Sequence, residues 1–144
     1  GSKMGGVALR LSEDGSEITP IWTDTEMDTF HGGVVIHDGY VYGTAHRSGR
    51  EMLCLNFKTG EIAWRSHDVS EGALVFADGM LYNYEGPQRG IVSLVKATPK
   101  GFERTGEFKI TEGTAKHWTH PTIADGRLYI RRGELLFAYD IAAK

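Results

Sequence analysis

Residues 37–44 read HDGYVYGT, residues 77–84 ADGMLYNY and residues 124–131 ADGRLYIR. Three times an Asp-Gly pair opens a short alternating apolar run, with Tyr42, Tyr82 and Tyr129 in register behind it. Asp-Gly between alternating segments is a strong hairpin signal, because both central positions of a type I′ turn require positive φ. Asp38, Asp78 and Asp125 stand 40 and 47 residues apart. A period of ~40–50 residues built only from short strands is the pattern of β-propeller blades. Nothing of helical period interrupts it.

A four-stranded blade follows from this reading. In the clearest copy the strands are VVIH (34–37), YVYGTA (40–45), EMLCLNF (51–57) and EIAWRS (61–66). The next copy runs ALVFA (73–77), MLYNYE (80–85), GIVSLVKA (90–97) and FERTGEFKI (102–110). The last supplies PTIA (121–124), RLYIRR (127–132) and ELLFAYDI (134–141), and the first only VALRLS (7–12) and ITPIWTD (18–24). The predicted fold is therefore all-β, an incomplete propeller with two full four-stranded antiparallel blades flanked by partial ones. Residues 5–25 form a partial blade, 31–66 and 71–110 full blades, and 119–141 a blade lacking its outer strand. Residues 1–4 read as a vector remnant. Propellers close with 4–8 blades, so this arc is expected to be the C-terminal part of a larger ring, with Lys144 a genuine end, or to be completed by another chain. Its open edges and blade faces favour association.

Composition excludes several classes. A net charge of −3 gives no basic field for nucleic acid. No apolar run approaches the ~18 residues of a membrane-spanning helix. Cys54 is the single cysteine, so no disulfide forms within the chain, and its place in an alternating apolar run predicts a buried structural thiol.

The segment LNFKTGEIAW (55–64) resembles the outer hairpin of the quinoprotein-like, or PQQ-like, propeller repeat, in which an Asp, a Thr-Gly turn and a terminal Trp recur. Thr59, Gly60 and Trp64 match, Asn56 stands where Asp is usual, and Asp140 takes that place in FAYDI (137–141). The closing segment HPTIADGRLYIRRGELLFAYDI (120–141) is similar to the last blade of bacterial periplasmic proteins of that family. The family pattern implies that Trp22 and Trp64 dock between blades, with Phe108 standing where a third Trp would be. It also implies a periplasmic or secreted parent protein.

Enzymes of this family oxidise alcohols or aldose sugars with pyrroloquinoline quinone (PQQ) and Ca²⁺. Their site needs adjacent cysteines, a tryptophan platform and oxygen ligands for the metal. One cysteine makes no vicinal disulfide, and no suitable cluster of Asp, Glu and Asn stands out. No cofactor is expected in this chain. A Gly-x-Ser-x-Gly elbow and a phosphate-binding glycine loop are missing too.

Candidate ligand-binding residues come from position in the blades. His31 in FHGG (30–33) and His117, Trp118 and His120 in HWTH (117–120) fall just before innermost strands, where propeller loops gather around the central channel. Imidazoles there can ligate a transition metal and Trp118 can stack on a sugar, although the spacing matches no metal motif. The bland alternative is packing at the channel mouth. His46, Arg47 and Arg50, with Arg131 and Arg132, lie in turns on the same face, a rim suited to an anionic sugar, a peptide carboxylate or a partner protein, or simply to solvent. No catalytic residue is assigned.

The function these features favour is a non-catalytic protein- or ligand-binding propeller module of a bacterial cell-envelope or secreted protein. Its partners are other blades of the parent chain or a second copy, and a protein or sugar ligand. The alternatives are a fragment of a PQQ-dependent or carbohydrate-active enzyme, and a self-associating repeat array.

Overall fold

The computed structural model describes residues 5–142, so the Gly1–Met4 stretch and Lys144 lie outside the described residues. The chain is all-β, arranged in four antiparallel sheets along the sequence. Strands β1 (Val7–Leu11) and β2 (Ile18–Thr23) make a two-stranded ribbon. The first complete blade is β3 (Val35–His37), β4 (Tyr40–Thr44), β5 (Met52–Asn56) and β6 (Ile62–Ser66). The second is β7 (Gly72–Ala77), β8 (Met80–Glu85), β9 (Ile91–Lys96) and β10 (Arg104–Lys109). A three-stranded blade of β11 (Thr122–Ala124), β12 (Arg127–Arg132) and β13 (Leu135–Asp140) follows.

The repeated Asp-Gly pairs make the tight turns between first and second strands. His37 pairs with Tyr40, Ala77 with Met80 and Ala124 with Arg127, leaving two residues in each loop. Asp38 and Gly39 have φ of 47° and 79°, and the other two pairs repeat this geometry. Positive φ at both positions twists the turn the way the flanking strands twist.

Blades stack through their faces, and the stacking is apolar. Tyr42, Met52, Cys54 and Trp64 of the first full blade meet Leu74, Leu81 and Val95 of the second. Tyr82, Tyr84 and Val92 then meet Leu128 and Ile130 of the next. Each connection drops one buried side chain between blades: Met27, then Val69, then Ile110. Strand β7 touches β3 and β4 on one side and β11 on the other, which puts the innermost strands around a common axis.

Outer strands are tied by aromatic side chains that cross to the next blade. The Trp22 indole N–H donates to the Phe57 carbonyl at 2.8 Å, and that of Trp64 to the Thr98 carbonyl at 2.8 Å. Phe108 occupies the third such place and packs on Tyr139 at 4.6 Å between ring centres, without a polar tether. Asn56 accepts from the Lys58 and Thr59 amides at 2.9 and 3.3 Å, and Asp140 accepts from the Ala142 amide at 3.2 Å. Both side chains hold the start of the turn that follows, which is why Asn can replace Asp there. Arg65 reaches Glu51 at 3.3 Å and Glu26 at 3.6 Å.

Candidate functional site

The approaches to the three innermost strands converge at one end of the axis. Gly32 and Gly72 abut there: a Cβ on Gly32 would lie 2.2 Å from the Gly72 carbonyl oxygen. The Thr44 hydroxyl bridges the same place, donating to the Gly72 carbonyl at 3.1 Å and accepting from its amide at 3.3 Å. These contacts hold the loops close and leave a small cleft with a cavity volume of about 50 Å³, partly open to solvent.

Four residues picked out from the sequence line this cleft: His31, His46, His117 and Trp118. His31 leads into β3, His46 follows β4, and His117 and Trp118 precede β11. The rings form a chain of contacts. Phe30 stacks on His46 with centres 4.4 Å apart and meets His31 edge-on at 4.1 Å, and His31 lies 4.5 Å from Trp118. The Lys116 ammonium sits 4.7 Å over the Trp118 ring, a cation–π contact that helps orient it. Trp118 and Phe30 remain 46% and 60% exposed, so the mouth of the cleft is aromatic and open to solvent.

The floor is built differently. His117 is buried, its amide donates to the Pro87 carbonyl at 2.9 Å, and its Nδ1 lies 2.5 Å from the Tyr84 hydroxyl. Its ring lies against Gly90, where an added Cβ would come within 2.4 Å. Burial, reinforced by the Arg132 and Lys109 cations, holds the His117 pKa below its ordinary value and favours the neutral ring. Desolvation pushes the Tyr84 phenol up to about 12. His117 thus closes the cleft from below, as a packed side chain rather than an available base. On the opposite wall His46 Nδ1 pairs with a Glu71 carboxylate oxygen. The Thr44 hydroxyl, which lines the same cleft, is engaged with the Gly72 backbone.

The remaining candidates go elsewhere. His120 is exposed and outside the cleft, and Arg47 is held through its amide by Asp28 and borders a second, larger groove. The rim arginines are partly committed: Arg132 donates to the carbonyls of Thr111, Glu112 and Ala115, clamping that loop, and Arg131 donates to the Gly133 carbonyl. Sequence reading overlooked Phe30, Glu71 and Tyr84. Aligning the repeats on Gly32 and Gly72 places Glu71 in register with His31, a signal that was present in the sequence.

Comparison with known proteins bears on the fold. No family model matches the chain, and no curated protein matches it. Among solved structures, BamB from Moraxella catarrhalis is similar, with a TM-score of 0.62 over 83% of this chain at 16% identity. The fold is an incomplete β-propeller. This arc spans about a third of the BamB chain, 33% of its length. Within the propeller, the cleft sits where successive blades present their inner-strand loops.

The donor set can be judged against the quinone and Ca²⁺ of the resembling enzymes, and it does not fit. Ca²⁺ takes six to eight oxygen ligands, whereas the cleft offers one carboxylate, Glu71, already paired with His46. Cys54 lies buried within β5, away from the cleft, and burial pushes its thiol up to about 11. Among the described residues no group of three or more His, Cys, Asp or Glu side chains is placed to hold a metal ion.

Proposed function

We propose that this chain is a non-catalytic, protein-binding propeller module of the bacterial cell envelope, belonging with the PQQ-like repeat proteins as the C-terminal part of a larger ring, and that it works without quinone or metal. The cleft is its recognition site. Phe30, His31 and Trp118 receive an apolar or aromatic side chain of the partner, while the His46–Glu71 pair offers it a polar contact. The observation that carries this reading is the exposure of Phe30 and Trp118 at the mouth of a recess whose walls are otherwise built and paired. Large aromatic rings around a partly enclosed site are the usual anchors of protein interfaces. The repeat pattern of residues 55–64 and 120–141 supports the family and envelope placement, and the likeness to BamB supports the propeller fold.

A photo-crosslinking residue in place of Trp118, introduced in the native host, tests the reading against the same residue in place of Lys58 on an outer turn. A discrete protein adduct is expected at 118 and not at 58, weakened by Phe30→Ala. Its absence at 118 counts against the site. Saturable, stoichiometric binding of PQQ with Ca²⁺ in calorimetric titration overturns the non-catalytic assignment.

A further inference from the structure

The larger groove, with a cavity volume of about 560 Å³, lies between the β1–β2 ribbon and the first full blade. Val34, Ile36, Val41, Leu55 and Phe57 form one wall, and Trp22 and Ala8 stand opposite. The repeat says what this wall is for. Aligned on the Asp-Gly turns, these five residues correspond to Leu74, Phe76, Leu81, Val95 and Ala97 of the second blade. In the second blade that surface is the one packed against the first: Leu74, Leu81 and Val95 are in the shared core, with Phe76 and Ala97 against it. Its covering comes in part from the inner hairpin β3–β4, through Val35, Tyr40 and Tyr42.

In the first blade only the outer half of the equivalent surface is covered, by Trp22 and the ribbon. Val41 and Leu55 are buried, but Val34 and Ile36 are 50% and 57% exposed where Leu74 is 8% exposed. Beside them β1 pairs only with β2, so its other backbone edge has no strand partner among the described residues. An apolar half-face next to a free strand edge is a site for β-augmentation.

We infer that this groove binds an inner-type β-hairpin of the same repeat, apolar–x–x–Asp-Gly–apolar–x–Tyr, which pairs with β1 and packs its alternate side chains on Val34 and Ile36. Two of this chain's own hairpins have that pattern: Val35 with Tyr40 and Tyr42, and Val75 with Met80 and Tyr82. A second copy supplies a poorer occupant. The hairpin at its free end presents Thr122, Arg127 and Tyr129 at those positions, and its third strand, β13, would fall where β1 already lies. The inference is independent of the cleft's role.

The test fuses a copy of residues 34–44 to the N-terminus of the full chain through a flexible Gly-Ser linker, which holds the hairpin at millimolar effective concentration. Binding to the folded state alone raises the folding constant by about tenfold or more, read as a higher urea midpoint. Amide shifts should centre on Val7–Leu11, Val34 and Ile36. The gain should vanish when the host carries Ile36→Glu, a change at an exposed position that leaves the fold intact. It should vanish also when the fused copy has Lys at the position equivalent to Tyr42. An unchanged midpoint overturns the proposal, as does an equal gain in the Ile36→Glu host. So does an unfused chain that is dimeric and becomes monomeric with Ile36→Glu, since a second copy would then be the occupant.

Discussion

Trp64 shows how one side chain serves several contacts. Its ring is buried between Tyr42 and Phe102 while its N–H holds the Thr98 carbonyl, so removing it both empties a cavity and orphans an acceptor. Trp64→Ala should cost about 3–5 kcal/mol in urea unfolding, and the half-buried Trp22 should cost less. Cys54 makes a simpler case. With its thiol pushed up to about 11, it should stay unmodified by a thiol reagent at pH 8 in the folded chain and react promptly in denaturant. His117 gives stability a pH dependence whose sign follows from its lowered pKa. Between that value and the ordinary 6.5 the unfolded chain binds more protons, so stability rises with pH through the window. It is fully present above about 6.5 and lost on acidification towards the lower folded value. The difference in urea midpoint between the chain and His117→Gln should accordingly shrink as pH falls from 7 to 5.

At the scale of elements, the hairpins were legible because the chemistry is local. Asp-Gly sets turn type, turn type sets register, and period-two alternation sets which side chains face the next blade. Gly60 belongs to a different order of constraint. Its φ of 76° alone could be met by several turns, but a Cβ there would stand 2.8 Å from the Trp22 ring of the preceding ribbon. Gly39, with φ of 79°, has open space around it. Gly60→Ala should therefore destabilise more than Gly39→Ala, by about 1 kcal/mol beyond the shared backbone strain. Much of that excess should disappear in a Trp22→Ala background, and a double-mutant cycle measures it. An additive result would mean that the ring and the turn are not coupled. The Thr-Gly motif was visible in the sequence, but the tryptophan that requires it lies 38 residues earlier, in another blade.

At the largest scale the described residues form an arc, and its ends are unlike its middle. Faces that are buried between complete blades are bare at the last sheet, where Leu136 is 69% exposed. Apolar exposure of this kind promotes association. Sedimentation should show concentration-dependent self-association, reduced by Leu136→Lys without loss of folding; a monodisperse monomer at high concentration would refute it. The candidate site belongs to this scale as well. His31, His46, His117 and Trp118 were identifiable because each lies beside the end of an inner strand, and such ends meet on one face. Their sorting was not legible. His117 turns down onto Tyr84, His120 stays in solvent and Arg132 is absorbed in holding a loop, because those outcomes depend on contacts between blades.

By itself the sequence determined the strands, the turns and the blade as a unit, since these rest on φ preferences and on alternation within a few residues. Tertiary structure decided which histidine is buried, which is paired with Glu71, and where apolar surface is left uncovered. Those are matters of distance between segments ~40 residues apart, and blade stacking alone brings such segments within reach of one another.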